Sequence, residues 1–330
     1  NIIENFNMKK WDRYNPQCIH LIAETCRRVF ADRARYLGDP AFTRIPEFLT
    51  SKKYAREVAN SIDLNKATPS GRITPEINVV SESPDTTHFS IVDKNGMAVS
   101  NTYTLEASWG SRMVVKGAGF LLNNEMGDFN WFPGETNQSG RIGTKPNTLA
   151  AGKRMLSSQS PTMLEKDGKL ILVTGSPGGR TIINTVLGIV LGVAEFGLSP
   201  EQAVAGARMH HQWFPDRLDL EALNQLPHSR VQKQLADMGH QVGNRPRQGS
   251  AHTVAIDQDS NMRIGIADRR RSGGPAAHEH DTIARWDFDD AMNTQLPQAS
   301  FHGKTKRKWT NALPASSIDG NGCPPAACRN

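Results

Sequence analysis

The feature that most constrains this chain is a tight turn between two strand-like runs. Residues 86–93 and 97–105 are rich in β-branched and aromatic side chains, and the loop 94–96 between them contains Asn-Gly. Asn-Gly between two such runs is a strong hairpin signal, since both residues tolerate positive φ. A three-residue loop places Thr86 opposite Thr104, whereas a two-residue loop would shift the register by one residue. The sequence therefore predicts an antiparallel hairpin that brings two threonine hydroxyls together at its open end.

The remaining patterns predict further hairpins and helices. Asn15 before Pro16, and Ser199-Pro200-Glu201-Gln202, are typical helix starts. Hairpins followed by helices favour an α+β fold with antiparallel sheets covered by helices, rather than a doubly wound parallel sheet. Predicted helices span residues 16–37, 52–62, 181–196 and 229–238, one more begins after 199, and predicted strands span 161–165, 169–174, 252–256 and 262–267.

Composition argues against two classes of partner. The net charge of +6 comes from 39 basic and 33 acidic residues that are mostly interspersed, without a recognisable nucleic-acid module. The longest apolar stretch, residues 181–197, is short for a membrane span and contains Glu195, so we interpret it as a buried helix. The sequence predicts neither nucleic-acid binding nor a membrane span.

Thr86 follows a loop, residues 65–84, that is punctuated by proline and glycine. A threonine here is most simply a β-branched residue that starts a strand. Its hydroxyl is a poor nucleophile unless a base is near, and the α-amino group of an N-terminal threonine, with a reference pKa of about 8, can serve as that base. This chemistry would require cleavage of the Asp85–Thr86 bond, which the exposed loop would permit.

Several ordered motifs resemble the γ-glutamyltranspeptidase family. The resemblance covers roughly residues 16–274 and includes the end of the family's large subunit and its small subunit. The motifs are FADRARYLGDP at 30–40, TTHFSIVD at 86–93, NTYTL at 101–105, LNNEMGDF at 122–129, LSSQSPT at 156–162, VTGSPGG at 173–179, HHQW at 210–213 and DRR at 268–270.

The resemblance implies an N-terminal-nucleophile hydrolase, an αββα sandwich of stacked antiparallel sheets covered by helices. The family's large subunit extends far upstream of Asn1, so we expect the sandwich to be incomplete without that region. Residues 1–85 would form the C-terminal part of a large-subunit-like region that ends in an exposed loop. Residues 86–274 would form the small-subunit-like catalytic region, and residues 275–330 an extension whose composition is typical of disorder.

The family's catalytic roles map onto four residues. By resemblance, Thr86 first attacks the Asp85 carbonyl and splits the precursor, and then attacks a γ-glutamyl amide to form an acyl-enzyme. Thr104 would hydrogen-bond this nucleophile, although a cross-strand threonine pair of purely structural origin predicts the same geometry. The backbone N–H groups of Gly178 and Gly179, in a turn that leads into a helix, would form the oxyanion hole.

The family's substrate-binding roles map onto five more. Glu125 and Asp128 would hold the α-ammonium group of the substrate, although such a pair is usually a solvated turn. Ser157 and Ser158 would hydrogen-bond its α-carboxylate. Glu106 stands where the family commonly has Asn, and its carboxylate would either add to ammonium binding or disturb the neighbourhood of the nucleophile. The family's carboxylate-binding arginine lies upstream, and no residue here is assigned to it.

The resemblance therefore predicts a γ-glutamyl hydrolase or transpeptidase that acts on glutathione and other γ-glutamyl amides, with water or amino acids as acceptors. It implies association of the two processed fragments, a periplasmic or extracellular location and no cofactor. We expect no metal, because His88, His210 and His211 do not form a compact ligand motif. Two alternatives stay open: an acylase for glutaryl or cephalosporin-type side chains, which lack the ammonium, and a truncated non-catalytic homologue.

Overall fold

The computed structural model describes residues 1–73, 85–134, 142–221, 228–271 and 274–275. Within these ranges the helices are α1 (Pro16–Tyr36), α2 (Lys52–Asn60), α3 (Thr181–Ala194), α4 (Pro200–Ala205) and α5 (His228–Asp237). The strands are β1 (Asp85–Val92), β2 (Ala98–Glu106), β3 (Thr162–Lys166), β4 (Lys169–Thr174), β5 (Met209–His210), β6 (Leu218–Leu220), β7 (Val242–Asn244), β8 (His252–Ile256) and β9 (Arg263–Ala267).

Helix starts follow the predicted capping chemistry. The Asn15 side chain accepts a hydrogen bond from Gln17 N at the start of α1. Ser199 and Gln202 exchange both bonds of a capping box at the start of α4. These bonds satisfy backbone donors that the first helical turn leaves without partners.

The β1–β2 hairpin has the predicted register over most of its length. Asp93 N donates to Met97 O (2.9 Å), which closes the three-residue loop. Pairing continues without a shift to Thr87 opposite Tyr103, and the register then shifts before Asp85. At this β-bulge the single residue Thr86 of β1 faces two residues of β2, Thr104 and Leu105. Contact between the Thr86 and Thr104 hydroxyls therefore stays a prediction.

The hairpin stacks on a four-stranded antiparallel sheet of order β3-β4-β8-β9. Ser90 Oγ donates to His252 O and Ser100 Oγ donates to Thr174 O, both at 2.9 Å. Helices α3 and α4 cover the other face of this sheet, where an apolar cluster includes Leu172, Ile189, Ala203 and Ala255. Two stacked β layers with a helical layer confirm the α+β class and correspond to three layers of the predicted sandwich.

A third sheet, of order β5-β6-β7, was not predicted from the sequence. Its β6–β7 pair is parallel, unlike the antiparallel pairing expected throughout. Ile19 and Ala23 of α1 pack against Leu218 and Leu220 of this sheet. The large-subunit-like helix thereby shares a core with strands from the small-subunit-like region.

Parts of two sequence predictions lie outside the described residues. These are residues 74–84 of the predicted cleavage loop and residues 276–330 of the predicted extension. None of the helices within the described ranges has the length and apolar character that crossing a bilayer requires.

Candidate active site

Thr86 lies half-buried near the start of β1, and this strand runs across the Asp85–Thr86 bond. Two residues further on, His88 is buried at 3% exposure. Its Nδ1 is hydrogen-bonded to Thr102 Oγ1 (2.8 Å) and its Nε2 to Ser90 Oγ (3.0 Å). Burial lowers the pKa of His88 to about 4, so the ring is neutral at pH 7.

His88 connects the Thr86 strand to the glycine-rich turn after β4. Its ring packs against Gly175, where a β-carbon would come within 2.2 Å of His88 Cε1. Gly175 stands three residues before Gly178. The structure thus brings the strand that carries the predicted nucleophile to the segment that carries the predicted oxyanion hole.

Gly178 and Gly179 form the turn that leads into α3. Their φ angles are +131° and +55°, which side-chain-bearing residues rarely adopt. A β-carbon on Gly178 would also come within 2.5 Å of Thr181 Oγ1 and 3.2 Å of Gly249 Cα. The turn therefore requires glycine, and it stands at a helix N-terminus, where backbone N–H groups favour negative charge.

The end of β2 holds Glu106 in an unusual conformation. Its φ is +72°, and its backbone N–H donates to Thr104 Oγ1 (2.7 Å). Its side chain lies against Gly127, where a β-carbon would come within 2.0 Å of Glu106 Oε1. Thr104 thus holds the backbone of Glu106, whose buried carboxylate lies against the turn Glu125–Asp128.

Glu125 adds a second buried carboxylate to this turn. It is 6% exposed, and its Oε1 has no hydrogen-bond partner among the described residues. Asn124 fixes the turn against β2, because its N–H donates to Leu105 O (3.1 Å) and its Oδ1 accepts from Ala107 N (3.1 Å). A buried acceptor without a donor suits a cationic ligand, since leaving it unsatisfied costs free energy.

The two serines differ in their surroundings. Ser157 is exposed, and its Oγ accepts from Gln159 N (3.1 Å). Ser158 is 8% exposed, and its Oγ accepts from Arg33 Nη2 (2.9 Å). Sequence reasoning did not identify Arg33, because 125 residues separate it from Ser158 and its position in a helical pattern carries no sign of that contact.

Asn147 connects the turn Glu125–Asp128 to the segment that leads to Ser157 and Ser158. Sequence reasoning did not identify this residue either. It is 4% exposed. Its Nδ2 donates to Asp128 O (2.7 Å), and its Oδ1 accepts from Leu156 N (2.9 Å). One amide side chain thus sets the spacing between the two predicted halves of the substrate site.

His20, Glu24 and His240 are the described residues whose ligand atoms lie close enough to hold a metal ion, within 4.8 Å of one another. Their polar atoms are already engaged. His20 Nδ1 is hydrogen-bonded to His240 Nε2 (2.8 Å), and the Glu24 carboxylate is ion-paired with Arg27 and Arg28. Two guanidinium groups beside Glu24 disfavour a further cation at this position.

Comparison with known proteins decides the family. The sequence model of γ-glutamyltranspeptidase matches residues 1–278. The chain belongs to the γ-glutamyltranspeptidase family. The resemblance drawn from the motifs is confirmed.

Individual relatives agree with this assignment. The glutathione hydrolase proenzyme of Escherichia coli is 43% identical over 271 residues, which are 82% of this chain and 46% of the relative. A γ-glutamyltranspeptidase from Pseudomonas nitroreducens, solved in complex with L-DON, superposes with a TM-score of 0.53 at 41% identity, over 59% of this chain and 100% of that one. The acylase ACY 1 proenzyme of Pseudomonas sp. SE83 is 30% identical over 279 residues, 84% of this chain and 46% of the relative. The chain thus spans less than half the length of these two proenzymes.

Proposed function

We propose that this protein is a γ-glutamyl hydrolase or transpeptidase that acts on glutathione and related γ-glutamyl amides. The observation that carries the proposal is the buried Glu125 carboxylate, whose Oε1 lacks a partner among the described residues. It lies in the same turn as Asp128, and the Glu106 side chain packs against Gly127 of that turn. An α-ammonium group supplies the donors and the charge that this turn calls for. The relative from Escherichia coli, a glutathione hydrolase proenzyme, supports the same substrate class.

In the proposed mechanism Thr86 becomes the first residue of a new chain when the Asp85–Thr86 bond is cleaved. Its α-amino group then accepts the hydroxyl proton, while Oγ attacks the γ-glutamyl carbonyl. Gly178 and Gly179 donate backbone hydrogen bonds to the oxyanion. The leaving amine takes the proton, and water or an acceptor amino acid resolves the acyl-enzyme.

Contacts across the predicted cleavage point support association of the two fragments. Upstream of it, Arg33 donates to Ser158, and Asp39 is ion-paired with Arg154 (2.8 Å). The apolar cluster that contains Cys18 and Leu21 of α1 also includes Trp213. These contacts need no peptide bond between residues 85 and 86.

The proposal is tested on the chain supplied with the large-subunit portion of a close homologue, by measuring intact mass together with chromophore release from a γ-glutamyl anilide. We expect cleavage into two fragments, the second of which begins at Thr86, and turnover of the anilide. Thr86→Ala should give one uncut, inactive chain. Thr87→Ala provides a matched control, because Thr87 is an exposed neighbour of the same type.

Three results would count against the proposal. A folded wild-type protein that stays uncut would remove the free amine on which the mechanism depends. Cleavage of a glutaryl anilide in preference to the γ-glutamyl one would favour the acylase alternative instead. A processed protein without turnover of either anilide would favour the non-catalytic alternative.

A further inference from the structure

Arg33 donates a hydrogen bond to Ser158, one of the two serines assigned to the substrate α-carboxylate. It projects from α1, upstream of the predicted cleavage point, and is 7% exposed. It lines one pocket together with Asp128, Asn147 and Arg180. The lining includes one acidic and two basic residues, and an α-amino acid likewise carries charges of both signs, an ammonium and a carboxylate on one carbon.

The bond between Arg33 and Ser158 fixes the role of the serine hydroxyl. A guanidinium group can only donate hydrogen bonds, so Ser158 Oγ is the acceptor in the 2.9 Å contact with Arg33 Nη2. The hydroxyl hydrogen is therefore directed away from Arg33. Because the hydroxyl oxygen accepts a hydrogen bond from a cationic guanidinium, the Ser158 O–H is polarised and is a suitable donor to a carboxylate.

A second contact holds the same segment from the same side. Asp39, just after α1, accepts from Arg154 N (2.8 Å) and from Arg154 Nη2 (2.8 Å). Hydrogen bonds from Arg154 keep the pKa of the Asp39 carboxyl well below its usual range, so it is ionised at pH 7. The backbone that leads to Ser157 and Ser158 is thus anchored to the α1 end at two points.

We propose that Arg33 is a positioning residue for the α-carboxylate of the substrate, which acts through Ser158. The inference rests on the proposed function, because the α-carboxylate that Arg33 would help to orient belongs to a γ-glutamyl substrate. It means that a residue upstream of the cleavage point completes a pocket built mainly from downstream residues. The preference for a carboxylate then depends on contact between the two fragments.

The test compares equilibrium binding of L-glutamate and of 4-aminobutyrate, which keeps the amine and the γ-carboxylate but lacks the α-carboxylate. Isothermal titration of the full-length protein needs no turnover. Arg33→Gln should weaken glutamate binding by about 10- to 100-fold, the scale of a charged hydrogen bond, and change 4-aminobutyrate binding by less than about twofold. Arg33→Lys should recover part of the loss. Arg35→Gln, which removes the same charge from the same helix, should change neither.

A double variant tests whether Arg33 acts through the serine. Adding Arg33→Gln to Ser158→Ala should weaken glutamate binding little further, because the two residues share one interaction. Three results would overturn the inference: equal losses for both ligands in Arg33→Gln, fully additive losses in the double variant, or a wild type that binds both ligands equally. A wild type that discriminates between the ligands but cleaves no γ-glutamyl anilide, even when supplied with the large-subunit portion of a close homologue, would refute the proposed function and leave this inference standing.

Discussion

Asp128 carries the sharpest prediction at the scale of single residues. In the proposed site it faces the α-ammonium group, so Asp128→Asn should reduce kcat/KM for a γ-glutamyl anilide by the equivalent of about 1.5–3 kcal/mol. A glutaryl anilide, which lacks the ammonium, should be nearly unaffected. Steady-state kinetics on both substrates provide the measurement. Equal losses on the two would mean that Asp128 is structural.

Gly127 allows a second test at this scale. A β-carbon there would overlap the Glu106 carboxylate at 2.0 Å, while the backbone of Gly127 itself has no positive φ. Gly127→Ala should therefore displace Glu106 and raise KM for the γ-glutamyl anilide by about 10-fold if that carboxylate assists ammonium binding. Gly71→Ala, with open space around the added carbon, is the matched control. An unchanged KM would assign Glu106 no part in binding.

At the scale of elements, local signals predicted the helices and both hairpins. The second hairpin closes through Asp167 and Gly168, both with positive φ, between the paired residues Lys166 and Lys169. Such turns are encoded by adjacent residues, and so are the Asn15 and Ser199 caps. The sequence alone therefore indicated these elements and, through family motifs, the candidate residues of the site.

The rest could not be predicted because it depends on contacts between distant segments. Strands β5, β6 and β7 have two or three residues each, too few for a periodic pattern, and β6 pairs in parallel with β7 across α5. The Asn147 link between Asp128 and Leu156 depends on tertiary folding in the same way. No residue next to Asn147 signals that its amide will be buried.

The Asn147 side chain holds two separate segments together, so its replacement should destabilise the fold. Asn147→Asp keeps an acceptor for Leu156 N but removes the donor to Asp128 O and buries a charge. We expect the free energy of unfolding at pH 7 to fall by about 1–3 kcal/mol, measured by chemical denaturation. Asn95→Asp, in the exposed hairpin loop, should have little effect. A stable Asn147→Asp protein would show that this link does not hold the two segments together.

For the whole molecule, buried histidines predict sensitivity to acid. Burial lowers the pKa of His88 to about 4, and those of His210 and His240 to about 3, from the ordinary value of 6.5. Between these values and pH 6.5 the unfolded chain binds more protons than the folded one, so stability falls as the pH falls. Denaturation at a series of pH values should show this decline beginning near pH 6.5. His240→Gln should reduce its slope, and a flat profile from pH 7 to 4 would contradict the assignment.

The outer face of the β1–β2 hairpin exposes several apolar side chains. Ile91 is 52% exposed, Val99 42% and Tyr103 52%, and these side chains alternate with the inward-facing residues that contact the four-stranded sheet. Apolar side chains gathered on one sheet face are typical of a surface that another layer covers. In an αββα sandwich that layer is helical, and the chain spans 46% of its relative from Escherichia coli.

We therefore expect residues 1–330, produced alone, to bind a hydrophobic dye and to turn over γ-glutamyl anilides weakly or undetectably. Adding the large-subunit portion of a close homologue should reduce dye binding and restore some activity, because it would cover this face and supply the family's carboxylate-binding arginine. Replacing Ile91 and Val99 by threonine should lower dye binding of the isolated chain and weaken its response to the added portion. Robust turnover by the isolated chain at micromolar substrate would mean that Arg33 and Ser158 hold the carboxylate without help from another segment.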